Sequence, residues 1–274
     1  MAIRLGCHLW SFGHCTVAEA AAMTRALGLM CLDLGNSRDL DPTYIFTHAG
    51  EEAERFNQIR AETGIAYADC FPQVEEDGLP FTNNHPDLTM RERYRARWRA
   101  FFRFAAEIGL DGVTLSPGRY WPGESPKASF DHAAGELRWA VNEGDKHGLK
   151  VRIEPHIESV TWRPELVLDM LEAVPGLTLT LDHSHFTFHA LPFEHISVLH
   201  PHATHWHARQ ARPGKAQCRV GEGRIDFPRI VRELQTESYD GVICLEYVHG
   251  AWLDQDNVDC LTETVALRDT LRTG

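Results

Sequence analysis

Apolar positions along the chain follow two rhythms in turn. Short apolar-rich runs of strand length recur at residues 5–10, 30–34, 65–71, 112–115, 151–154, 177–182, 204–208 and 242–246. Between them the apolar residues fall at helical spacing. Val17, Ala20, Ala21 and Leu27 begin the series, and a helix over 51–62 follows. Tyr94, Trp98, Phe101, Phe102 and Ala105 mark a long one, and Phe130, Ala133, Ala134, Leu137 and Val141 another. Leu166, Val167, Met170, Leu171 and Val174 follow Pro164, which suits a first helical turn. A weak helix at 193–199, then Phe227, Ile230, Val231 and Leu234, and finally 259–271 complete the set. Thr16 and Glu19 have capping-box spacing, and Gly28, Gly64, Gly109 and Gly148 stand where helices should stop. The polar, turn-rich stretches 72–86 and 116–126 read as long loops, the first over a barrel mouth.

Eight strands alternating with helices over 274 residues predict an α/β fold, a (β/α)8 TIM barrel, as one domain over 1–274. An open doubly wound sheet is the rival. The chain has no GxGxxG or GxxxxGK[ST] phosphate loop, which speaks against it.

Strand residues alternate sides, so one face of each strand should meet the helices and the other the barrel interior. Leu177, Leu179 and Leu181 oppose Thr178, Thr180 and Asp182; Val151 and Ile153 oppose Arg152, Glu154 and His156; Ile243 and Leu245 oppose Val242, Cys244 and Glu246. Glu154, Asp182, His205, His207 and Glu246 are then expected to converge inside, late in their strands. Barrel enzymes keep their chemistry at that C-terminal rim. Several buried carboxylates need a partner, and a divalent cation is the simplest one. Taken singly, each could instead be a strand-end acid in a surface salt bridge. His8 and Trp10 close strand one and are candidates for the pocket wall. Asp69 and Cys70 end strand three, and the pattern leaves open which of them points inward. Tyr120 and Trp121 in the fourth loop could stack on a sugar face.

Composition narrows the partners. A formal net charge of −12 repels phosphate backbones and argues against nucleic acid. No apolar run reaches the ~20 residues of a membrane helix. The first residues run directly into strand one without a leader pattern. The seven cysteines are scattered and contain no C-x-x-C pair, as expected of reduced thiols. These features predict a cytoplasmic chain, with self-association left open. Histidine is the unusual residue: of 16, most lie in the second half, where the strand ends carry the candidate chemistry.

Five motifs in that half go further: IEPH at Ile153, LDHSH at Leu181, HWHARQ at His205, GEGRIDF at Gly221 and CLEY at Cys244. Together they resemble the sugar phosphate isomerase/epimerase superfamily, the xylose isomerase-like barrels. The first half shares only the strand–helix rhythm. The resemblance implies that Glu154, Asp182, His207 and Glu246 hold one divalent metal ion. It also implies a substrate-binding or second-metal role for His185, a substrate contact for Arg212, and an acid/base pair in Glu154 and Glu246. His156 is expected near the substrate or orienting Glu154. The DNA-repair branch needs further histidines where this chain reads CLDLGNS, AYADCFP and GKAQCRVGEG, and these contain none.

An oxygen-rich site with one imidazole suits Mn2+, Mg2+ or Co2+, and accepts Zn2+. The expected activity is a metal-dependent isomerase or epimerase acting on a keto-sugar or sugar acid through an enediolate. A lyase, dehydratase or decarboxylase, with the same site is the second reading. It is favoured by Arg119, Arg209, Arg212 and Lys215 on expected rim loops, where they could hold a carboxylate. A barrel that only binds a sugar is the third.

Overall fold

The computed structural model of the chain describes residues 3–73, 83–250, 253, 255 and 258–273. The strands are β1 (Arg4–His8), β2 (Cys31–Leu34), β3 (Ala66–Cys70), β4 (Gly112–Leu115), β5 (Lys150–Ile153), β6 (Thr178–Asp182), β7 (Ala203–Ala208) and β8 (Val242–Leu245). Between them lie α1 (Val17–Ala26), α2 (Pro42–Thr63), α3 (Leu88–Glu107), α4 (Pro126–Asp145), α5 (Pro164–Ala173), α6 (His183–Phe188), α7 (Phe193–Ile196) and α8 (Phe227–Thr236), with α9 (Cys260–Thr273) last. All ladders are parallel, in the order β3-β2-β1-β8-β7-β6-β5-β4. The result is a (β/α)8 barrel that is closed but for one seam between β3 and β4.

Each expected strand is present, with ends moved by at most two residues. The capping box of Thr16 and Glu19 forms as the spacing predicts. Two helices depart from expectation. α2 starts at Pro42 rather than residue 51, because Asp41 caps it and Pro42 opens its first turn. His48 leaves helical geometry (φ −129°, ψ 33°), which breaks the apolar rhythm that marks a helix. The second departure is α6, which was not expected. Residues 183–187 are all buried, so it has no polar face and no amphipathic period to read. Most of the expected loop 72–86 falls on residues 74–82, outside the described residues. No helix among the described residues is long and apolar enough to cross a membrane. All seven cysteines are free.

The large apolar core lies between the strands' outer faces and the helices. The barrel interior is different. Cys31, Val242 and Cys244 pack as a small apolar group. Arg152, fully buried, sits in a polar network nearby. Its Nε donates to Thr204 Oγ1 (2.9 Å), and its Nη1 and Nη2 meet Asp69 (3.2 Å) and Asp111 (2.9 Å). Thr114 donates to Asp69 and lies 2.5 Å from Thr180 Oγ1, so side chains tie the β3/β4 seam. The guanidinium passes where β4 has no side chain, since a Cβ built on Gly112 would overlap it.

Two β-bulges set the inward phase. In β7, Ala203 pairs with Leu179 but His205 with Thr180, so Thr204 is the extra residue. Thr204 can therefore meet Arg152 while His205 and His207 stay in step with Thr180 and Asp182. In β3 the register slips between Tyr67 and Cys70, and it is Asp69 that turns inward while Cys70 joins the outer core.

Candidate functional site

Glu154 and Glu246 follow directly on β5 and β8, Asp182 is the last residue of β6, and His207 lies one residue from the end of β7. All four are 0–1% exposed. Donor atoms of Glu154, Asp182 and Glu246 lie within 4.8 Å of one another. His207 Nδ1 joins them, 2.6 Å from Glu154 Oε1 and 3.5 Å from Glu246 Oε1. Asp182 also caps α6, accepting from Ser184 N (2.8 Å) and Ser184 Oγ (2.6 Å). The fold thus gathers three of the four expected ligands at the C-terminal rim, with His207 beside Glu154 and Glu246.

The electrostatics are those of a cation site. Burial pushes the Glu246 carboxyl up to about 8, and the neighbouring Glu154 and Asp182 add to it against the opposing His207. Burial also raises Asp182, with Arg209 opposing. For Glu154 burial acts the same way, but His156 and His207 outweigh it and hold the carboxylate ionised. Burial disfavours a charged His207, yet Glu246, Glu154 and Asp33 draw its imidazole well above the ordinary value. Glu246 Oε2 and His207 Nε2 are buried without a hydrogen-bond partner among the described residues. Three carboxylates, the Arg209 guanidinium and one divalent ion balance in charge with His207 neutral, as a ligating imidazole must be. The residues therefore fit a divalent metal ion, and its oxygen-rich donor set suits Mn2+, Mg2+ or Co2+.

The other expected residues divide. His156 Nδ1 is 3.2 Å from Glu154 Oε2. His185 Nε2 is 3.8 Å from Asp182 and 4.0 Å from Glu154, and its ring lies 4.0 Å from that of His156. Burial lowers the pKa of both, most strongly at His185, where His156 adds to the effect. His8 is fully buried behind Trp10, accepting from Trp10 N (3.2 Å) and packing edge-on to His207 at 5.3 Å. Burial and His207 push its pKa down to about 3. Gly35 makes this packing possible, since a Cβ there would come within 2.7 Å of both the His8 and Trp10 rings. Trp10 faces a cavity of about 670 Å3 above the carboxylates, lined also by Asn36, Arg38, His156, Arg209 and Glu246.

Arg212 is elsewhere. It is exposed on a turn, where its backbone pairs with Lys215, and it is not among the cavity-lining residues. Arg209 is the arginine that the structure brings to the site. It is buried, with Nε 3.0 Å from Ser184 Oγ and 3.2 Å from Asp182 Oδ2, and Nη2 3.2 Å from His185 Nε2. Sequence reasoning placed Arg209 on a rim loop, and it missed Asp33 altogether. Asp33, on β2, is 2.5 Å from His205 Nε2 and 3.4 Å from His207 Nε2. A signal for it existed. CLDL in β2 sets an acid between apolar neighbours, as CLEY does at Glu246.

Comparison with known proteins agrees with the fold. Residues 15–264 match the family described as the xylose isomerase-like TIM barrel. An uncharacterized protein of Methanocaldococcus jannaschii is 25% identical over 187 residues. That match covers 61% of this chain and 62% of the relative, so the chain spans about three fifths of that protein's length. The structure of a putative xylose isomerase from Rhodospirillum rubrum superposes with a TM-score of 0.79 at 16% identity, over 100% of this chain and 99% of that one. The 3-keto-D-glucoside 4-epimerase of E. coli superposes with a TM-score of 0.75 at 14% identity, over 99% of this chain and 100% of that one. The eight-stranded barrel and a family match across nearly its whole length lead to one conclusion: this chain belongs to the xylose isomerase-like TIM barrel family.

Proposed function

We propose that this chain is a divalent-metal-dependent isomerase or epimerase acting on a keto-sugar or sugar acid. The observation that carries the reading is a cluster of three buried carboxylates at the rim cavity, with one imidazole against two of them. Glu154, Asp182, His207 and Glu246 would hold the ion, which when bound polarises a substrate carbonyl and its neighbouring hydroxyl. That makes the C–H between them acidic. Glu154, held ionised by its histidine neighbours, is assigned to remove the proton and leave an enediolate. Glu246, the second carboxylate of the acid/base pair, is assigned to deliver a proton of its own to the opposite face, while Glu154 passes the one it took to solvent. His156 orients Glu154. His185 and Trp10 bind the substrate, and its chemical class as a sugar has a precedent in the E. coli epimerase of the same fold.

A second reading, a lyase acting on a keto sugar acid, is favoured by Arg209. A buried guanidinium in the cavity wall would hold an anionic group through charge-assisted hydrogen bonds. One experiment tests both. The Mn2+-loaded protein is incubated in heavy water with neutral ketoses and with keto sugar acids. Deuterium entering a ketose supports the epimerase reading. Deuterium entry with loss of water or carbon dioxide from an acid supports the lyase. No exchange in any substrate, in protein shown to hold the ion, would sink both.

A further inference from the structure

His207 has two ring nitrogens in different surroundings. Nδ1 faces the rim carboxylates, 2.6 Å from Glu154 and 3.5 Å from Glu246. Nε2 faces the other way, toward Asp33 Oδ2 at 3.4 Å. Asp33 is 1% exposed, and its Oδ2 is also 2.5 Å from His205 Nε2. Asp33 Oδ1 is buried without a hydrogen-bond partner among the described residues, so the carboxylate has acceptor capacity to spare.

An imidazole that offers its lone pair through Nδ1 must carry its proton on Nε2. That buried N–H needs an acceptor, and the nitrogen has no hydrogen-bond partner of normal geometry among the described residues. Asp33 is the carboxylate placed to be that acceptor once the ring turns slightly toward it. We propose that Asp33 is a positioning residue: it accepts from Nε2 of His207, fixes the ring's tautomer, and so presents Nδ1 to Glu154 and Glu246. This rests on reading those residues as a metal centre.

Three features of the fold support it. Strand alternation puts His205 and His207 on one face, one above the other, and the bulge at Thr204 brings that face into step with Thr180 and Asp182. His205 reaches Asp33 from β7 across the barrel and anchors it beneath His207. The edge-on His8 ring, 5.3 Å away, limits how far His207 can tilt. A metal-ligating histidine commonly hands its second N–H to a carboxylate, and loss of that carboxylate typically costs 10–100-fold in metal affinity.

The test uses the full chain and does not need the substrate. Zn2+ affinity is measured by titration calorimetry, and the imidazole tautomers of the Zn2+-loaded, 15N-histidine-labelled protein by NMR. Wild type should show His207 protonated at Nε2. Asp33→Asn should bind Zn2+ about 10–100-fold more weakly and lose that signature, with an unchanged circular dichroism spectrum. His205→Gln, which leaves Asp33 charged but unanchored, should show a smaller loss, and it carries the test if Asp33→Asn does not fold. An affinity within about threefold of wild type, or an unchanged tautomer, in the folded variants overturns the proposal. His207→Ala separates the two levels. If it leaves affinity intact, the metal centre itself is wrong and this inference falls with it. If it abolishes binding while Asp33→Asn does not weaken it, only the positioning role falls.

Discussion

Two buried polar clusters share the barrel interior, and they are built on opposite plans. The one around Arg152 is closed. Its guanidinium lies between Asp69, Asp111 and Thr204, and Thr114 and Thr180 complete the chain of contacts. The cluster at the rim is open. Three carboxylates crowd within 4.8 Å, Arg209 offsets part of their charge, and Glu246 Oε2 and His207 Nε2 find no hydrogen-bond partner among the described residues. Arg152, Asp69, Thr114 and Thr180 are as deeply buried as the rim carboxylates, with Asp111 at the exposed edge, so burial does not mark a site. What separates the clusters is whether the protein alone balances the charge. A cluster that does is structural, and one that does not is waiting for something from outside.

The largest expected effect comes from changing the rim. Glu154→Gln and Glu246→Gln should each cut turnover by about 10²–10⁴-fold, with metal loss adding to that. Steady-state rates alongside metal content check it, and near-normal turnover in either variant would remove the assigned roles. Glu246→Gln should leave the metal-free protein as stable as before, since it removes an uncompensated acid.

Changing the closed cluster should do the reverse. Arg152→Met leaves Asp69 buried without its cation, and breaking a buried pair in this way costs about 3–5 kcal/mol. Urea unfolding would show the loss, and adding Mn2+ should not restore it. A change under about 1 kcal/mol would mean that the network is less tightly closed than its distances suggest.

The smallest effect concerns pH. In the metal-free chain burial pushes Glu246 up to about 8, from an ordinary 4.5. The folded form then holds its proton more tightly than the unfolded form. The stability this gives is complete below about pH 4.5 and is lost as pH rises through about 8. His207, raised above its ordinary 6.5 by Glu246, Glu154 and Asp33 despite burial, has the same sign. Metal needs both groups deprotonated, so the stabilisation by Mn2+ should grow from about pH 6 to pH 9, reaching about 2.7 kcal/mol where free metal is a hundredfold above its Kd. Melting curves with and without Mn2+ measure it. A gain that is equal at every pH would show that no site acid is raised.

Much of this contrast was legible in the sequence, because strand alternation is a local rule. It put Glu154, Asp182, His207 and Glu246 on one face, and the motifs ending β5 to β8 gave their order. It also turned Arg152 inward. What it could not give were partners across the barrel. Asp33 and His205 are 172 positions apart, and Asp69 and Arg152 are 83 apart. No periodicity links such pairs. Bulges explain why alternation left Asp69 and Cys70 undecided, because one extra residue reverses the phase of a strand, as between Tyr67 and Cys70 and at Thr204. Arg209 does lie on the rim loop directly after β7, as the sequence reading has it, but its partners were hidden by their distance along the chain: Asp182 and Ser184, 27 and 25 positions away, draw its side chain down into the site.

Gly112 gives the Arg152 network a silent member. The residue carries no charge and makes no side-chain contact, yet its emptiness is the channel through which the guanidinium reaches its acids. A single methyl at that position would act like deletion of the arginine, although nothing ionic had changed. Among descendants of a common ancestor the two positions must therefore drift as a couple. A lineage that acquires a side chain at the place of Gly112 has both to shorten the one at the place of Arg152 and to shift the β5 backbone at Lys150 O, 2.6 Å from the new Cβ, and then Asp69 has no reason to remain an acid. A search for covarying charges would find Asp69 with Arg152 and overlook the glycine that permits both.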